Sequence, residues 1–206
     1  MIDDCAALIL AGGESRRMGR PKAWLEFDGR PLLAHLVERL GRVCPEVRVV
    51  CAPGQELPAT PARVIHDERP GQGPVAGLAA GLKGLEQPLA FACSCDLPFL
   101  RVELVECLAQ AARGYDVALC EWEGRLHPLH AVYRASLQPR LEARLAADQR
   151  RLLAVLDHVR HVVLGEAEIR ALDPDGASFV NLNTPQDYAA AQQRWAAMRP
   201  RAGTFR

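Results

Sequence analysis

The chain carries no net charge. Its 25 Lys and Arg residues are matched by 25 Asp and Glu residues, so no overall field draws it to nucleic acid or to a membrane surface, and any anion site has to be local. It also lacks an apolar run long enough to span a bilayer. Met1-Ile2-Asp3-Asp4 is acidic and the apolar stretch behind it is too short for a secretory signal core, so a cytoplasmic protein is expected. Seven cysteines are an odd number, which without an export signal argues for reduced thiols rather than a disulfide framework. Cys93 and Cys95 have no second cysteine pair to complete four zinc ligands, so they read as small buried residues. No repeat, linker or low-complexity segment interrupts the sequence, and one domain over residues 1–198 is expected, with 199–206 as a frayed tail.

What is present centres on Leu8–Lys22, L-I-L-A-G-G-E-S-R-R-M-G-R-P-K. Ala6 to Leu10 have the length and composition of a strand buried on both faces, and Gly12-Gly13 end it. Two adjacent glycines permit positive φ, so that successive N–H groups converge on an anion. Arg16, Arg17 and Lys22 add cations close behind. Several donors suit a polyphosphate, whose charge is spread over many oxygens. The loop is not a Walker loop, because Lys22 lacks the required glycine spacing and the following Ser or Thr.

Further on, strands are expected at 47–51, 62–65 and 89–95, alternating with helices that begin near Pro31, Pro74 and Arg101. That alternation predicts an α/β fold: a Rossmann-like three-layer sandwich with a mostly parallel central sheet. Residues 117–122 and 129–133, joined through Glu123-Gly124, form a small antiparallel excursion. Helices over 136–147 and 149–158, a strand over 161–164 and a last strand over 179–182 follow. Asn183-Thr184-Pro185 then caps a terminal helix over 186–198.

Asp96 stands at the carboxyl end of a strand expected to be central, where a carboxylate can hold Mg²⁺ against phosphate oxygens. Asp67 also ends a strand and serves either a ligand or a turn. Asn181 and Asn183, two apart on the expected last strand, either read a ligand or stitch a loop. Gly71-x-Gly73-x-x-Ala76 matches a dinucleotide fingerprint. It does not follow its strand directly, however, and Pro74 removes a donor that a pyrophosphate would use. The pairs His127/His130 and His158/His161 lack the one-face helical spacing of a zinc site.

Taken together, L-A-G-G-x-S-R-R-M-G-x-P-K, V-I-H-D, G-P-V-A-G-L, C-D-L-P and N-L-N-T-P-Q-D span nearly the whole chain. In that order they resemble the nucleotidyltransferases of the glycosyltransferase-A type, and within them the molybdenum cofactor guanylyltransferases. The resemblance implies the nucleotide-diphospho-sugar transferase fold and GMP transfer from Mg-GTP to the terminal phosphate of molybdopterin, with release of pyrophosphate. It implies that Leu10, Ala11, Gly12, Gly13 and Lys22 bind GTP, that Asp67 contacts the nucleoside, and that Asp96 binds Mg²⁺ and nucleotide. Lys22, Asp96 and Arg17 would then be the catalytic groups, Asn181 and Asn183 the acceptor side. Protein partners in cofactor delivery are possible in such a reaction. Cys51 departs from the family pattern, which often has Asn at that strand end. The rival readings are a cytidylyl- or sugar-1-phosphate nucleotidyltransferase, an NAD-binding oxidoreductase built on Gly71–Ala76, and a nucleotide-binding module without catalysis.

Overall fold

A computed structural model describes residues 2–12, 18–19 and 21–198. Gly13, Arg16, Arg17 and the tail 199–206 lie outside the described residues. Cys5–Leu10 forms β1, buried at all six positions. A strand apolar on both faces is stable only between two covering layers. Its parallel neighbours are β4 (Val47–Cys51) and β6 (Leu89–Ser94), preceded by a small separate ladder of β2 (Glu26–Phe27) and β3 (Arg30–Pro31). Next to β4 lies β5 (Arg63–His66). Beyond β6 come β8 (Arg125–Arg134), β7 (Val117–Trp122) and β9 (His161–Leu164), giving a seven-stranded order β5-β4-β1-β6-β8-β7-β9. Only β8 runs against the rest, so the expected antiparallel excursion is a hairpin inserted into an otherwise parallel sheet. Glu123-Gly124 turns that hairpin with φ of 51° and 68°, both in the left-handed region. The hairpin register slips by a bulge between Leu119 and Cys120.

The helices fall into two layers. On one face lie α1 (Leu32–Gly41), α3 (Val102–Ala111), α5 (Glu166–Leu172) and α6 (Pro185–Met198). On the other lie α2 (Pro74–Leu82) and α4 (Gln138–Ala146). Alternation along β1 serves both layers, with Ala7 and Ile9 in the first core and Leu8 in the second. Helix α1 buries Leu32, Leu33, Leu36, Val37 and Leu40, each contributing roughly 1.5–3 kcal/mol of transfer free energy. Helix α2 lies unusually close to the sheet because it presents glycine there. A Cβ on Gly81 would sit 3.0 Å from Leu8 and 3.1 Å from Val50. The buried Arg48 closes the far end of α2, donating to the carbonyls of Gly81, Lys83 and Gly84 while pairing with Glu46 at 2.6 Å.

Two expectations fail. Residues 179–182 are not a strand. Ala177–Phe179 forms a 3₁₀ turn, and Leu182 then donates its N–H to the Asp96 carbonyl at 3.2 Å. The cause is Asp173, fully buried, whose carboxylate accepts from the N–H groups of Ala177 and Ser178 at 3.1 and 2.7 Å. That local capture offers the backbone partners other than a ladder. Helix α5 was not foreseen. Its start is marked by Glu168, whose carboxylate accepts from the Gly165 N–H at 2.9 Å. Among the described residues no helix is long and apolar enough to cross a membrane.

Candidate active site

Chain order along the sheet runs β1, β4, β5 to one side and resumes with β6 on the other side of β1. Ligands of open α/β sheets bind outside the carboxyl ends of the strands at such a switch point. Here the strand ends are Leu10–Gly12, Cys51–Ala52, His66–Asp67 and Ser94–Asp96, and a cavity of about 470 Å³ opens above them. Leu10, Gly12, Cys51, Asp67, Gly73 and Ser94 line it.

The turn after β1 is held by backbone and by one unforeseen side chain. Ala11 donates its N–H to the Val50 carbonyl at 2.8 Å, and its own carbonyl accepts from Gln55 Nε2 at 2.9 Å. Gly12 does not adopt positive φ, contrary to the sequence reading. The turn direction is fixed instead by those two bonds. A Cβ on Gly12 would meet no protein atom within 4 Å, so a side chain there would intrude only on the cavity. Among the glycines that line the cavity, Gly71 and Gly73 at the entrance to α2, in the segment that matches the dinucleotide fingerprint, do take positive φ, at 82° and 77°. Asp67 does what a turn residue does, accepting from the Arg69 N–H at 2.9 Å, and also lines the cavity. Cys51 Sγ lies 3.6 Å from His66 Nδ1 on the same wall.

Beside the cavity, three residues remote in sequence converge. Lys22, opening a 3₁₀ turn, donates from Nζ to Asp96 Oδ2 at 2.6 Å and to Asn183 Oδ1 at 2.9 Å. Asp96 is nearly buried at 7 % exposure, and its other oxygen accepts from the hydroxyl of Ser94, a residue that also faces the cavity. The carboxylate is therefore oriented from both sides. Asn183 is placed by the start of α6. Asp187 Oδ2 accepts from the N–H groups of Asn183 and Thr184 at 3.0 and 2.8 Å, and Thr184 Oγ1 accepts from the Asp187 N–H at 3.1 Å. The Thr184 side chain first, and then the Asn183 N–H, hold the Asp187 carboxyl below its usual range. Asn181 donates from Nδ2 to the Phe179 carbonyl at 3.0 Å. The expectation that the two amides face one way fails with the strand that was to carry them. Gln55, Ser94 and Tyr188, which is described further below, were missed. Only the serine had a signal, ending the strand two residues before Asp96.

The cluster fits a divalent cation. Asp96 and Asn183 already share an ammonium between hard oxygen donors, and one carboxylate with phosphate oxygens and water is the usual protein contribution to Mg²⁺. Among the described residues no group of three or more His, Cys, Asp or Glu could hold a metal ion. His127 and His130 pack instead around Phe179, at 4.8 and 4.7 Å between ring centres.

The model of the MobA-like NTP transferase domain matches residues 7–191. The chain belongs to that family. A probable molybdenum cofactor guanylyltransferase of Mycobacterium tuberculosis is 39% identical over 194 residues, covering 91% of this chain and 93% of that one. Among solved structures, molybdopterin-guanine dinucleotide biosynthesis protein A from Archaeoglobus fulgidus superposes with a TM-score of 0.80 at 25% identity, covering 94% of this chain and all of its own. The 2-C-methyl-D-erythritol 4-phosphate cytidylyltransferase of Thermus thermophilus shares the fold, with a TM-score of 0.66 at 23% identity over 93% of this chain and 98% of its own. The chain is thus a nucleotidyltransferase with the nucleotide-diphospho-sugar transferase fold.

Proposed function

We propose that the enzyme transfers GMP from GTP to the terminal phosphate of molybdopterin, forming the guanine dinucleotide cofactor and releasing pyrophosphate. The supporting observation is Lys22 held between Asp96 and Asn183, with Asp96 bound by Ser94 of the cavity wall, in a chain whose relatives carry the guanylyltransferase name. An oxygen of the acceptor phosphate attacks the α-phosphorus, and the bond from that phosphorus to the β-bridging oxygen breaks. A phosphate monoester with a second pKa near ~6 is mostly dianionic at neutral pH, so no general base is needed.

What the protein supplies is alignment and positive charge. The nucleoside lies in the cavity between Gly12 and Asp67, Leu10 and Ala11 border the triphosphate, and Gly13 is assigned to GTP binding by the family resemblance. Lys22 and Arg17 bind it and stabilise the departing pyrophosphate. Asp96, oriented by Ser94, would hold Mg²⁺, which neutralises phosphate charge when bound. Asn181 and Asn183 border the acceptor. Gly12 leaves room for a purine close to the backbone. Pyrophosphate release measured with molybdopterin and each of GTP, CTP and UTP tests the reading. GTP alone should support turnover, and a preference for CTP would replace this reading with cytidylyl transfer.

A further inference from the structure

The small β2–β3 ladder and the start of α6 close a ring around Lys22. Glu26 follows Lys22 by four positions, and Tyr188 follows Asn183 by five. The two arms meet twice: at the Lys22–Asn183 bond and at Tyr188, whose hydroxyl accepts from the Glu26 N–H at 3.1 Å and donates to the Glu26 carbonyl at 2.7 Å. A two-stranded ladder of two residues a side is not stable alone. Leu32 donates to the Leu25 carbonyl at 2.7 Å, so Glu26, one residue on, stands at a position whose N–H and C=O face away from β3. One phenol, both donor and acceptor, satisfies both. The Phe27 ring packs edge-on against Tyr188 at 5.6 Å, and Trp195 donates to Asp28 Oδ2 at 2.9 Å, so the whole ladder is fastened to α6.

We propose that Tyr188 is a positioning residue for Lys22: by pinning the strand after Lys22 to the helix after Asn183, its hydroxyl sets where the ammonium meets the nucleotide phosphates. This rests on Lys22 binding the triphosphate, as read above. Tyr188→Phe removes the two bonds and keeps the ring against Phe27, so the thermal midpoint should move by only a few degrees, roughly the effect of one or two hydrogen bonds. Mg-GTP affinity is then measured by calorimetry in the parent, Tyr188→Phe, Lys22→Ala and the double variant. Tyr188→Phe should weaken binding about tenfold when Lys22 is present and less than about twofold when it is absent, because the two groups act as one unit. An equal loss in both backgrounds, or no loss in the parent background, overturns the inference and leaves the role of Lys22 intact. If Lys22→Ala alone binds Mg-GTP as tightly as the parent, it is the reading of Lys22 that falls.

Discussion

Burying a histidine without a partner for one of its nitrogens has a cost that depends on pH. His130 on β8 is 3 % exposed, its Nε2 has no hydrogen-bond partner among the described residues, and the rings of Phe91, Phe179 and His127 surround it. Burial first, and then the neighbouring His127, push its pKa from 6.5 down to about 4, against a smaller opposite pull from the Ser178 backbone and the Asp96 and Asp173 carboxylates. The imidazole is therefore neutral in the folded protein. In the unfolded chain it binds a proton below pH ~6.5, so its contribution to stability is whole above that pH, falls as pH drops through the interval, and is gone below pH ~4. The ceiling is roughly 3 kcal/mol, of which about 2 kcal/mol is lost by pH 5. His130→Leu removes the titrating group together with its orphaned nitrogen, and should be neutral or stabilising at pH 7.5. Urea unfolding of both proteins at pH 7.5, 6 and 5 isolates the effect, since every other titrating group is common to the pair. The parent should lose about 2 kcal/mol more than the variant between pH 7.5 and 5. Equal losses, or an imidazole that titrates near pH 6.5 in the folded protein by NMR, would refute the reasoning.

Asp96→Asn keeps the shape of the side chain but removes the charge that faces Lys22 at 2.6 Å. Turnover should fall by about 100-fold or more, on the scale of losing a preorganised electrostatic group, with unfolding by urea close to that of the parent; normal turnover would remove Asp96 from the machinery. Gly176→Ala should cost about 3 kcal/mol or more in the same urea assay, because the added carbon would lie 2.2 Å from the Trp122 ring on a backbone with φ of 62°. A stable alanine variant would show that the stack of Trp122 on Phe179 and the Arg170 guanidinium over Trp122 yield easily.

What the sequence revealed depended on the range of the forces involved. The apolar run of β1, the helical spacing in α1 and the turn residues Glu123-Gly124 are local codes, and each produced its element. Asp96 could be found because a strand expected to be central did occupy the middle of the sheet. The 179–182 segment could not, because its fate was decided by Asp173, a buried carboxylate several residues away that no propensity registers. The contact of Lys22 with Asn183 spans 161 residues. Composition and motif order suggest such a meeting only through resemblance, and Tyr188 carries no motif at all. Gln55 was invisible for a similar reason, since a glutamine that props up a turn is indistinguishable in sequence from one in solvent.

The lone reversed strand, β8, has an architectural consequence. Residues that line the cavity come mainly from the ends of β1, β4, β5 and β6 and from the start of α2, with Leu129 added from β8, whereas the stretch from β7 through α5 meets the parallel strands across the β6–β8 seam. Such a seam is stitched by main-chain bonds, which are indifferent to side-chain identity. Side chains on the far flank can therefore be exchanged while the strand ends around the cavity keep their geometry.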